Sequence, residues 1–300
     1  MTGPPARTLT QRWVAGHLPA RPPRAHKGEF GRLLVVAGST EYPGAAMLTA
    51  LGAMRAGAGV VRAAVAESVA ARLAGAVPEL TWMVLDEEAP GLIAPSGWRR
   101  VTTDAAGYDA VVIGPGLGRQ PATLRRTRNL VAALRIPAVI DADGLNALAD
   151  GRNWWTGLRA PLVLTPHPGE FGRLVRGEAP PDDDAARSQA ALDAAQRWRQ
   201  VVVLKGANTV VAGPDGELLR SEVSSPALAT AGSGDVLAGV IGAFLAGGLP
   251  PFDAAGCGVA VHGAAGLLAE ERIGRAGVMA RDVATLLPAA IEQLRGGRGR

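Results

Sequence analysis

The residues best suited to chemistry form a short turn, Gly232, Ser233, Gly234 and Asp235, which directly precedes an apolar run with helical spacing. A flexible turn at the start of a helix leaves backbone N–H groups without intrahelical partners, and the helix dipole adds positive potential there. The turn therefore suits a phosphate or an oxyanion. Asp235 has two interpretations: it caps the helix, or it takes a proton from a substrate hydroxyl while the turn holds a transferring phosphoryl group.

Four further loops are polar or glycine-rich, and each follows an apolar run typical of a buried strand. They contain Gly114, Gly116 and Gly118; Asp141, Asp143 and Asn146; His167 with Glu170; and Lys205, Gly206, Ala207, Asn208 and Thr209. The loop with Asp141, Asp143 and Asn146, called the acidic loop below, could equally well bind a cation or ribose hydroxyls or cap the following helix. His167, between two prolines, is either a functional or a surface histidine. Lys205 either reaches a phosphate or is an exposed strand-end residue.

These loops have to be positioned by the elements around them. The alternation of apolar runs and helical segments predicts an α/β fold with three layers: a mostly parallel central sheet, helices on both faces and one β-hairpin. The predicted strands span 33–37, 60–66, 110–113, 138–141, 162–165 and 201–205, the hairpin 209–212 and 217–219, and the helices 9–17, 45–56, 122–134, 182–199, 251–269 and 281–294, besides the helix after Asp235. Because ligands of such sheets bind where the strands end, the loops should converge there. We predict a surface arm for residues 1–25 and a single domain for residues 26–295.

Composition narrows the class of protein. The 300 residues are 48% hydrophobic and only 4% aromatic, which is typical of a globular fold, and the net charge of +4 is spread over scattered arginines without interleaved aromatic residues. We therefore predict no nucleic-acid partner. Cys257 is the only cysteine and is interpreted as a buried structural thiol. The longest uncharged run, 236–252, is interrupted by glycines and prolines, and the N-terminus lacks a secretory signal, so we predict a cytoplasmic protein without a membrane segment.

Eight motifs follow one another in order along the chain. They are His26-Lys27-Gly28 with Gly31, Tyr42-Pro43-Gly44-Ala45-Ala46, Arg55-Ala56-Gly57-Ala58-Gly59, Gly114-Pro115-Gly116-Leu117-Gly118, Asp141-Ala142-Asp143, Thr165-Pro166-His167-Pro168-Gly169-Glu170, Lys205-Gly206-Ala207 and Gly232-Ser233-Gly234-Asp235. In combination they resemble the ADP-dependent NAD(P)H-hydrate dehydratases of the ribokinase-like superfamily, from about residue 26 to 290. The resemblance implies repair of hydrated NADH and NADPH: the S epimer of the hydrate is dehydrated to the reduced dinucleotide, while ADP is split into AMP and phosphate.

The resemblance also implies roles for particular residues. Asp235 resembles the general base, with Gly232, Ser233 and Gly234 as the anion hole; Lys205, Gly206, Ala207, Asn208, Thr209 and Gly234 resemble the ADP or AMP site; and Ala45, Gly116, His167 and Asp235 resemble the hydrate site. Phosphorylation of the hydrate hydroxyl and elimination then need no separate dehydrating acid. Mg²⁺ is an expected cofactor, because Asp235 and the phosphates would otherwise repel each other. The sequence identifies no metal ligands. The family further implies a homo-oligomer, a tetramer.

The chain departs from its relatives in two ways. Many relatives have an epimerase domain ahead of this one, whereas about 26 residues precede the match here. We therefore expect a separate NAD(P)H-hydrate epimerase to act in the same pathway. Relatives also often have alanine where Gly144 stands, and we expect that exchange to be mild.

Two alternatives remain open at this level. The first alternative is a small-molecule kinase with the same fold, of the hydroxymethylpyrimidine or hydroxyethylthiazole type. Such a kinase would release a stable phosphorylated product. The loops at 114–118 and 165–170 favour the dehydratases over these kinases. The second is a non-catalytic protein that binds nucleotides or nucleic acids, which the basic pI of about 9.9 suggests and the low aromatic content disfavours.

Overall fold

A central sheet organises the computed structural model, which describes residues 6–296. The strands are β1 (Arg7–Thr8), β2 (Arg32–Val36), β3 (Val60–Ala66), β4 (Thr81–Leu85), β5 (Glu87–Ala89), β6 (Leu92–Ile93), β7 (Ala110–Ile113), β8 (Ala138–Ile140), β9 (Leu162–Leu164), β10 (Val201–Leu204), β11 (Val210–Ala212) and β12 (Leu218–Arg220). Ten of them form one sheet in the order β1-β12-β11-β10-β9-β8-β7-β2-β3-β4, while β5 and β6 form a small separate hairpin. Every neighbouring pair in the large sheet is parallel except the two pairs that include β11.

Helices cover both faces of this sheet. They are α1 (Gln11–His17), α2 (Pro43–Ala56), α3 (Glu67–Leu73), α4 (Pro95–Asp104), α5 (Pro121–Ala133), α6 (Asp143–Asp150), α7 (Pro168–Val175), α8 (Asp184–Trp198), α9 (Ser233–Ala246), α10 (Pro251–Arg272) and α11 (Ala280–Leu294). One layer contains α2, α9, α10 and α11, which pack against one another, and the other contains the series α4 to α7 with α8 against β10 and β11. The predicted three-layer α/β/α fold is confirmed.

The middle strands form because their sequences are apolar on both faces. All residues of β7, β8, β9 and β10 are buried, as continuous runs of Val, Ile, Leu and Ala require in a parallel sheet covered on both sides. The predictions for β3 and β7 match their observed bounds, and those for β2, β8, β9 and β10 agree within one residue at each end. The predicted hairpin is the antiparallel pair of β11 and β12.

The longest helix, α10, lies inside the fold. Within residues 6–296 it is the one helix long and apolar enough to cross a membrane, and 72% of its apolar window is buried against the rest of the protein. It packs between α9 and α11. Cys257 in this helix is buried, as predicted, and burial raises the pKa of its thiol to about 12, so the thiolate needed for reactivity is scarce.

Sequence analysis missed strand β4, at the edge of the sheet, although Trp82 to Leu85 form a continuous apolar run. Only Met83 and Leu85 of this strand are buried. Two arginines cover its free backbone: Nε of Arg62 donates to the carbonyl of Trp82 at 3.2 Å, and Nη1 of Arg100 donates to that of Val84 at 3.0 Å. Charged side chains at such an edge oppose pairing with another chain.

The N-terminal segment differs from the predicted surface arm. Strand β1 pairs in parallel with β12 at the end of the sheet, and α1 packs against α10 and α11. The reason is a short apolar stripe, Val14 and Leu18, whose side chains are 1% and 9% exposed. Residues 1–5 of the predicted arm lie outside the described residues. The boundary between an arm and a domain of residues 26–295 stays a prediction.

Replacing Val14 by Ala should lower the free energy of unfolding by about 2 kcal/mol, because two buried methyl groups are lost at the contact between α1 and the helical layer. Arg12→Ala is the matched control, since Arg12 lies on the same helix with its side chain exposed. Urea denaturation of both variants measures the difference. Equal stabilities of the Val14 variant and the control would show that α1 contributes nothing to the core.

Candidate active site

A cavity of about 520 Å³ opens at the carboxyl ends of the parallel strands. The loops after β8, β9 and β10 meet there with the start of α9, as the sequence predicted. Of the predicted site residues, the cavity wall contains Asp141, His167, Glu170, Lys205, Gly206, Ala207, Thr209, Gly232, Ser233, Gly234 and Asp235. The remainder of the wall consists of Ala142, Val223, Ser224, Ser225, Leu228, Ala229, Thr230, Leu237 and His262.

An ion pair between Asp141 and Lys205 lies at the centre of this wall. Nζ of Lys205 is 2.7 Å from Oδ1 of Asp141 and 3.8 Å from Oε2 of Glu170. Oγ1 of Thr165 donates to the same Asp141 oxygen at 2.8 Å. Burial disfavours the charged lysine, but Asp141 and Glu170 outweigh burial, so the pKa of Lys205 lies above its usual value. Lys205 is therefore a fixed charge, and removing it would leave the buried Asp141 without its partner.

The turn before α9 presents free backbone donors. Gly232 has φ +85°, a left-handed conformation that glycine adopts without strain, and no side chain caps the helix. Within residues 6–296, the N–H groups of Gly234 and Asp235 have no hydrogen-bond acceptor, whereas the N–H of Val236 bonds to the carbonyl of Gly232. A Cβ at Gly234 would lie 3.4 Å from Nζ of Lys205. The predicted anion hole is thus open and lies next to a positive charge.

Asp235 has the pKa of a general base. Burial raises the pKa of its carboxyl to about 7, with the negative charge of Asp141 as the next cause and with smaller contributions from Asp143 and Glu170, against the lowering effect of Lys205. A carboxyl with this pKa exchanges a proton with a bound hydroxyl compound near neutral pH far more effectively than an ordinary aspartate. Its side chain lies in the first turn of α9 but makes no capping hydrogen bond there.

His167 and Glu170 fix each other at the start of α7. Nδ1 of His167 accepts the N–H groups of Gly169 and Glu170 at 3.0 and 3.3 Å, and Oε2 of Glu170 accepts the N–H of His167 at 2.9 Å. Burial lowers the pKa of His167, with the positive charges of Lys205 and Arg173 as further causes. The ring is therefore neutral, with Nδ1 as acceptor and Nε2–H as the donor, 3.5 Å from Oε1 of Glu170.

Three residues to which the family resemblance gives a binding role lie outside the cavity wall. Ala45 and Gly116 face each other: Gly116 has φ +64°, and a Cβ added there would lie 2.7 Å from Cβ of Ala45. The exposed side chain of Tyr42 lies beside the same glycine. Asn208 donates to the carboxylate of Asp184 at 3.2 Å instead of lining the cavity. The predicted hydrate residues thus fall into two groups, His167 with Asp235 and Ala45 with Gly116.

In the acidic loop after β8, the carboxylate of Asp143 is hydrogen-bonded to other parts of the protein. Oδ2 of Asp143 accepts the N–H of Gly118 at 2.8 Å, and its Oδ1 accepts Nε of Arg119 at 3.2 Å. Within the described residues, no group of three His, Cys, Asp or Glu side chains is arranged to hold a metal ion. Ala142 has φ +48°, which is uncommon for a residue with a side chain and marks backbone strain between the two aspartates.

Gly144 is more constrained than the sequence indicated. A Cβ at this position would lie 2.7 Å from the carbonyl oxygen of Ile113 and 2.9 Å from Cγ2 of Ile140. The expectation that alanine is a mild exchange here is therefore wrong for this chain, because strand-end backbone would have to move.

Sequence analysis missed His262. It lies in α10, 8% exposed, and its Nε2 is 3.1 Å from Oγ of Ser233 in the anion-binding turn. Burial lowers the pKa of its imidazole to about 4. Its position within an apolar, glycine-rich helix gives no local signal of function, and only the packing of α10 against α9 brings it to the cavity.

The fold and the site together define a ribokinase-like protein with an uncapped glycine-rich turn at the carboxyl edge of its sheet. More narrowly, the chain belongs to the NAD(P)H-hydrate dehydratase family, whose sequence pattern matches residues 33–289.

Individual relatives agree with this family. The ADP-dependent (S)-NAD(P)H-hydrate dehydratase of Xanthomonas campestris is 40% identical over 98% of this chain and 99% of its own length. A bifunctional NAD(P)H-hydrate repair enzyme of Moorella thermoacetica is 42% identical over 96% of this chain but only 54% of its own, so the chain spans about half the length of that relative. Among solved structures, the ADP/ATP-dependent NAD(P)H-hydrate dehydratase of Bacillus subtilis, co-crystallized with ATP/Mg²⁺, has a TM-score of 0.83 and 31% identity, covering 96% of this chain and 99% of that one.

Replacing Asp235 by Asn should stabilise the fold at neutral and alkaline pH. The folded protein keeps the Asp235 proton up to about pH 7, whereas an unfolded chain releases it near 3.8. Between these values the folded state binds more protons, so the stability contribution of Asp235 falls as pH rises, while asparagine stays neutral. The free energy of unfolding of Asp235→Asn, measured by urea denaturation, should therefore exceed that of the wild type by an amount that grows between pH 3.8 and about 7 and is constant above that range.

Asp215→Asn, in the exposed turn of the hairpin, controls for the loss of a carboxylate as such. An Asp235→Asn advantage of the same size at every pH would contradict the raised pKa.

Proposed function

We propose that this protein is an ADP-dependent (S)-NAD(P)H-hydrate dehydratase, which restores NADH and NADPH from their hydrates. The observation that supports this most directly is the position of Asp235, a carboxyl with a pKa of about 7 on a turn whose Gly234 and Asp235 N–H groups are free. The family and the full-length match to the Xanthomonas campestris enzyme support the substrate class.

The cavity provides separate surfaces for the parts of ADP. Lys205 and the free N–H groups at Gly234 and Asp235 supply positive potential for the phosphates. The apolar side chains of Val223 and Leu228 line the same cavity and suit a flat base. The nucleotide would therefore lie along the wall from 205–209 to 223–230, with its terminal phosphate at the turn.

The chemistry begins with proton transfer to Asp235. The carboxylate accepts the proton of the hydrate hydroxyl, the hydroxyl oxygen attacks the terminal phosphorus of ADP, and the bond to the bridging oxygen breaks, which releases AMP. The free N–H groups stabilise the charge on the transferring group. The carbon–oxygen bond of the phosphate ester then breaks with its electron pair leaving on phosphate, and loss of a proton from the neighbouring carbon restores the dihydropyridine. The products are AMP, phosphate and the reduced dinucleotide.

We propose Mg²⁺ as the cofactor, bound mainly by the nucleotide phosphates. The donor set fits an ion bound by phosphates and water: Asp141 and Asp143 are engaged by Lys205 and by Gly118 with Arg119, and Asp235 stays unligated to accept the hydroxyl proton. Mg²⁺ commonly keeps several waters and binds substrate phosphates. When bound, it would neutralise phosphate charge near Asp235.

Further proposals concern the context of the protein. A dehydratase specific for the S epimer leaves the R epimer unprocessed, so we propose that an NAD(P)H-hydrate epimerase acts in the same pathway. We also propose a homotetramer in the cytoplasm. Light scattering at several protein concentrations tests the tetramer, and a monomer at micromolar concentration would overturn it.

Asp235→Asn should reduce turnover by about 10²- to 10⁴-fold, because the general base is lost while the anion-binding N–H groups remain. The assay follows the near-ultraviolet absorbance of the reduced nicotinamide ring as protein meets NADH-hydrate, Mg²⁺ and ADP. Calorimetry should find ADP binding largely intact in the variant, and Asp215→Asn serves as control.

Retention of most activity by Asp235→Asn would disprove the role of this base. If wild-type protein restores no absorbance with ADP or ATP, the dehydratase proposal fails, and release of a stable phosphorylated alcohol from ATP would instead establish the small-molecule kinase.

The value of kcat/KM should fall about tenfold for each pH unit below the pKa of Asp235, near 7, because only the ionised carboxyl accepts the hydroxyl proton. Above this pH the value of kcat/KM should become constant. Initial rates at low hydrate concentration over a pH series measure the profile. A rate that stays level down to the ordinary aspartate value of 3.8 would show that Asp235 is not the titrating base.

A further inference from the structure

Two buried polar side chains are in contact at the cavity, the hydroxyl of Ser233 and the imidazole of His262, and the chemistry described so far uses neither side chain. Oγ of Ser233 and Nε2 of His262 are 3.1 Å apart. The two residues are 5% and 8% exposed, and both line the cavity. Ser233 is the first residue of α9 and His262 lies within α10, so the contact joins the anion-binding turn to the neighbouring helix.

The charge state of His262 limits what this contact can be. Burial lowers the pKa of the imidazole to about 4; a hydrogen bond to the Ser233 backbone opposes this shift and the charge of Lys205 adds to it, so the ring is neutral at working pH. A neutral imidazole has one N–H group. Nε2 therefore either accepts the hydroxyl hydrogen of Ser233 or donates its own hydrogen to Oγ. Only in the second case is the hydroxyl hydrogen of Ser233 available to another acceptor.

A phosphoryl group in the turn distinguishes these two states. The free N–H groups of Gly234 and Asp235 follow Ser233 directly, so an anion bound to them lies close to Oγ. Lone pairs of Oγ would repel that anion, whereas the hydroxyl hydrogen would bind it with the extra strength of a charge-assisted hydrogen bond. An occupied turn therefore favours the tautomer with hydrogen on Nε2.

We propose that His262 is a positioning residue: its Nε2–H donates to Oγ of Ser233, so that the Ser233 hydroxyl donates to the phosphoryl group bound at Gly234 and Asp235. Ser233 then adds a third donor to the two backbone N–H groups. The identification of that group as the terminal phosphate of ADP rests on the proposed function, whereas the tautomer preference applies to any phosphate in the turn.

Nitrogen NMR of protein labelled at histidine tests the tautomer directly. The chain has four histidines, and the signal that disappears in His262→Gln identifies the ring in question. With saturating Mg²⁺ and ADP, and separately with inorganic phosphate, we expect Nε2 of His262 to carry the hydrogen. A ring that keeps its hydrogen on Nδ1 with either ligand bound would overturn the proposal. The measurement does not require NADH-hydrate, so it stands even if the dehydratase activity is absent.

A double-mutant cycle tests the catalytic consequence. Ser233→Ala should lower kcat by about 10²-fold, the cost of one oxyanion donor, with a smaller effect on KM for ADP. His262→Leu should cause a similar loss, and the double variant should be no slower than Ser233→Ala, because His262 acts through Ser233. His262→Gln should recover much of the loss, since its side-chain amide can donate to Oγ.

Two kinetic outcomes would refute the positioning role. One is a double variant whose loss equals the product of the single losses, and the other is a His262→Gln protein as slow as His262→Leu. Thermal unfolding shows whether each variant folds. If His262→Leu does not fold, the kcat values of Ser233→Ala and His262→Gln are compared instead. If wild-type protein shows no turnover of hydrate, the proposed function fails, and the NMR result alone decides the role of His262.

Discussion

The buried ion pair of Asp141 and Lys205 determines both the shape and the basicity of the site. It connects the ends of β8 and β10, and β9 between them contributes Thr165 and, through α7, Glu170. A buried charge without a partner costs several kcal/mol, so these strand ends are fixed relative to one another. Carboxylates outnumber the single lysine, and the residual negative charge together with burial raises the pKa of Asp235. Burial has the larger effect on the pKa of Asp235, and Asp141 adds to it while Lys205 opposes it.

The inner part of the fold could be predicted because burial on both faces leaves a strong pattern. Strands β7 to β10 are short apolar runs rich in Val and Ile or Leu, each followed by a glycine or a polar residue, and this length and composition favour a buried strand over a helix. The periphery could not be predicted in this way. Strand β4 is half exposed at the edge of the sheet, where its one neighbour is β3, and β1 has only two residues and depends on pairing with β12 far along the chain.

The site was predictable to the extent that its residues follow strands or begin a helix. Asp235 and Lys205 are examples, because the carboxyl ends of parallel strands must meet at one edge. The tight ion pair was not predictable, since the sequence cannot show which carboxylate a strand-end lysine meets. His262 was missed for a related reason: its role comes from helix packing, and its neighbours in sequence are all core residues. The assignment of Ala45 and Gly116 to the hydrate site came from family resemblance alone.

The pairing of β1 with β12 has a consequence for the synthesis of the protein. The hydrogen bond from Thr8 to Glu222 in this region joins residues 214 positions apart. On the ribosome the first strand emerges long before its partner, so it must wait unpaired while most of the protein folds. Parallel pairing over so long a separation is slow, and until it forms, the outer edge of β12 is an open template for another chain. Newly made molecules are therefore most prone to aggregate just before their first strand docks.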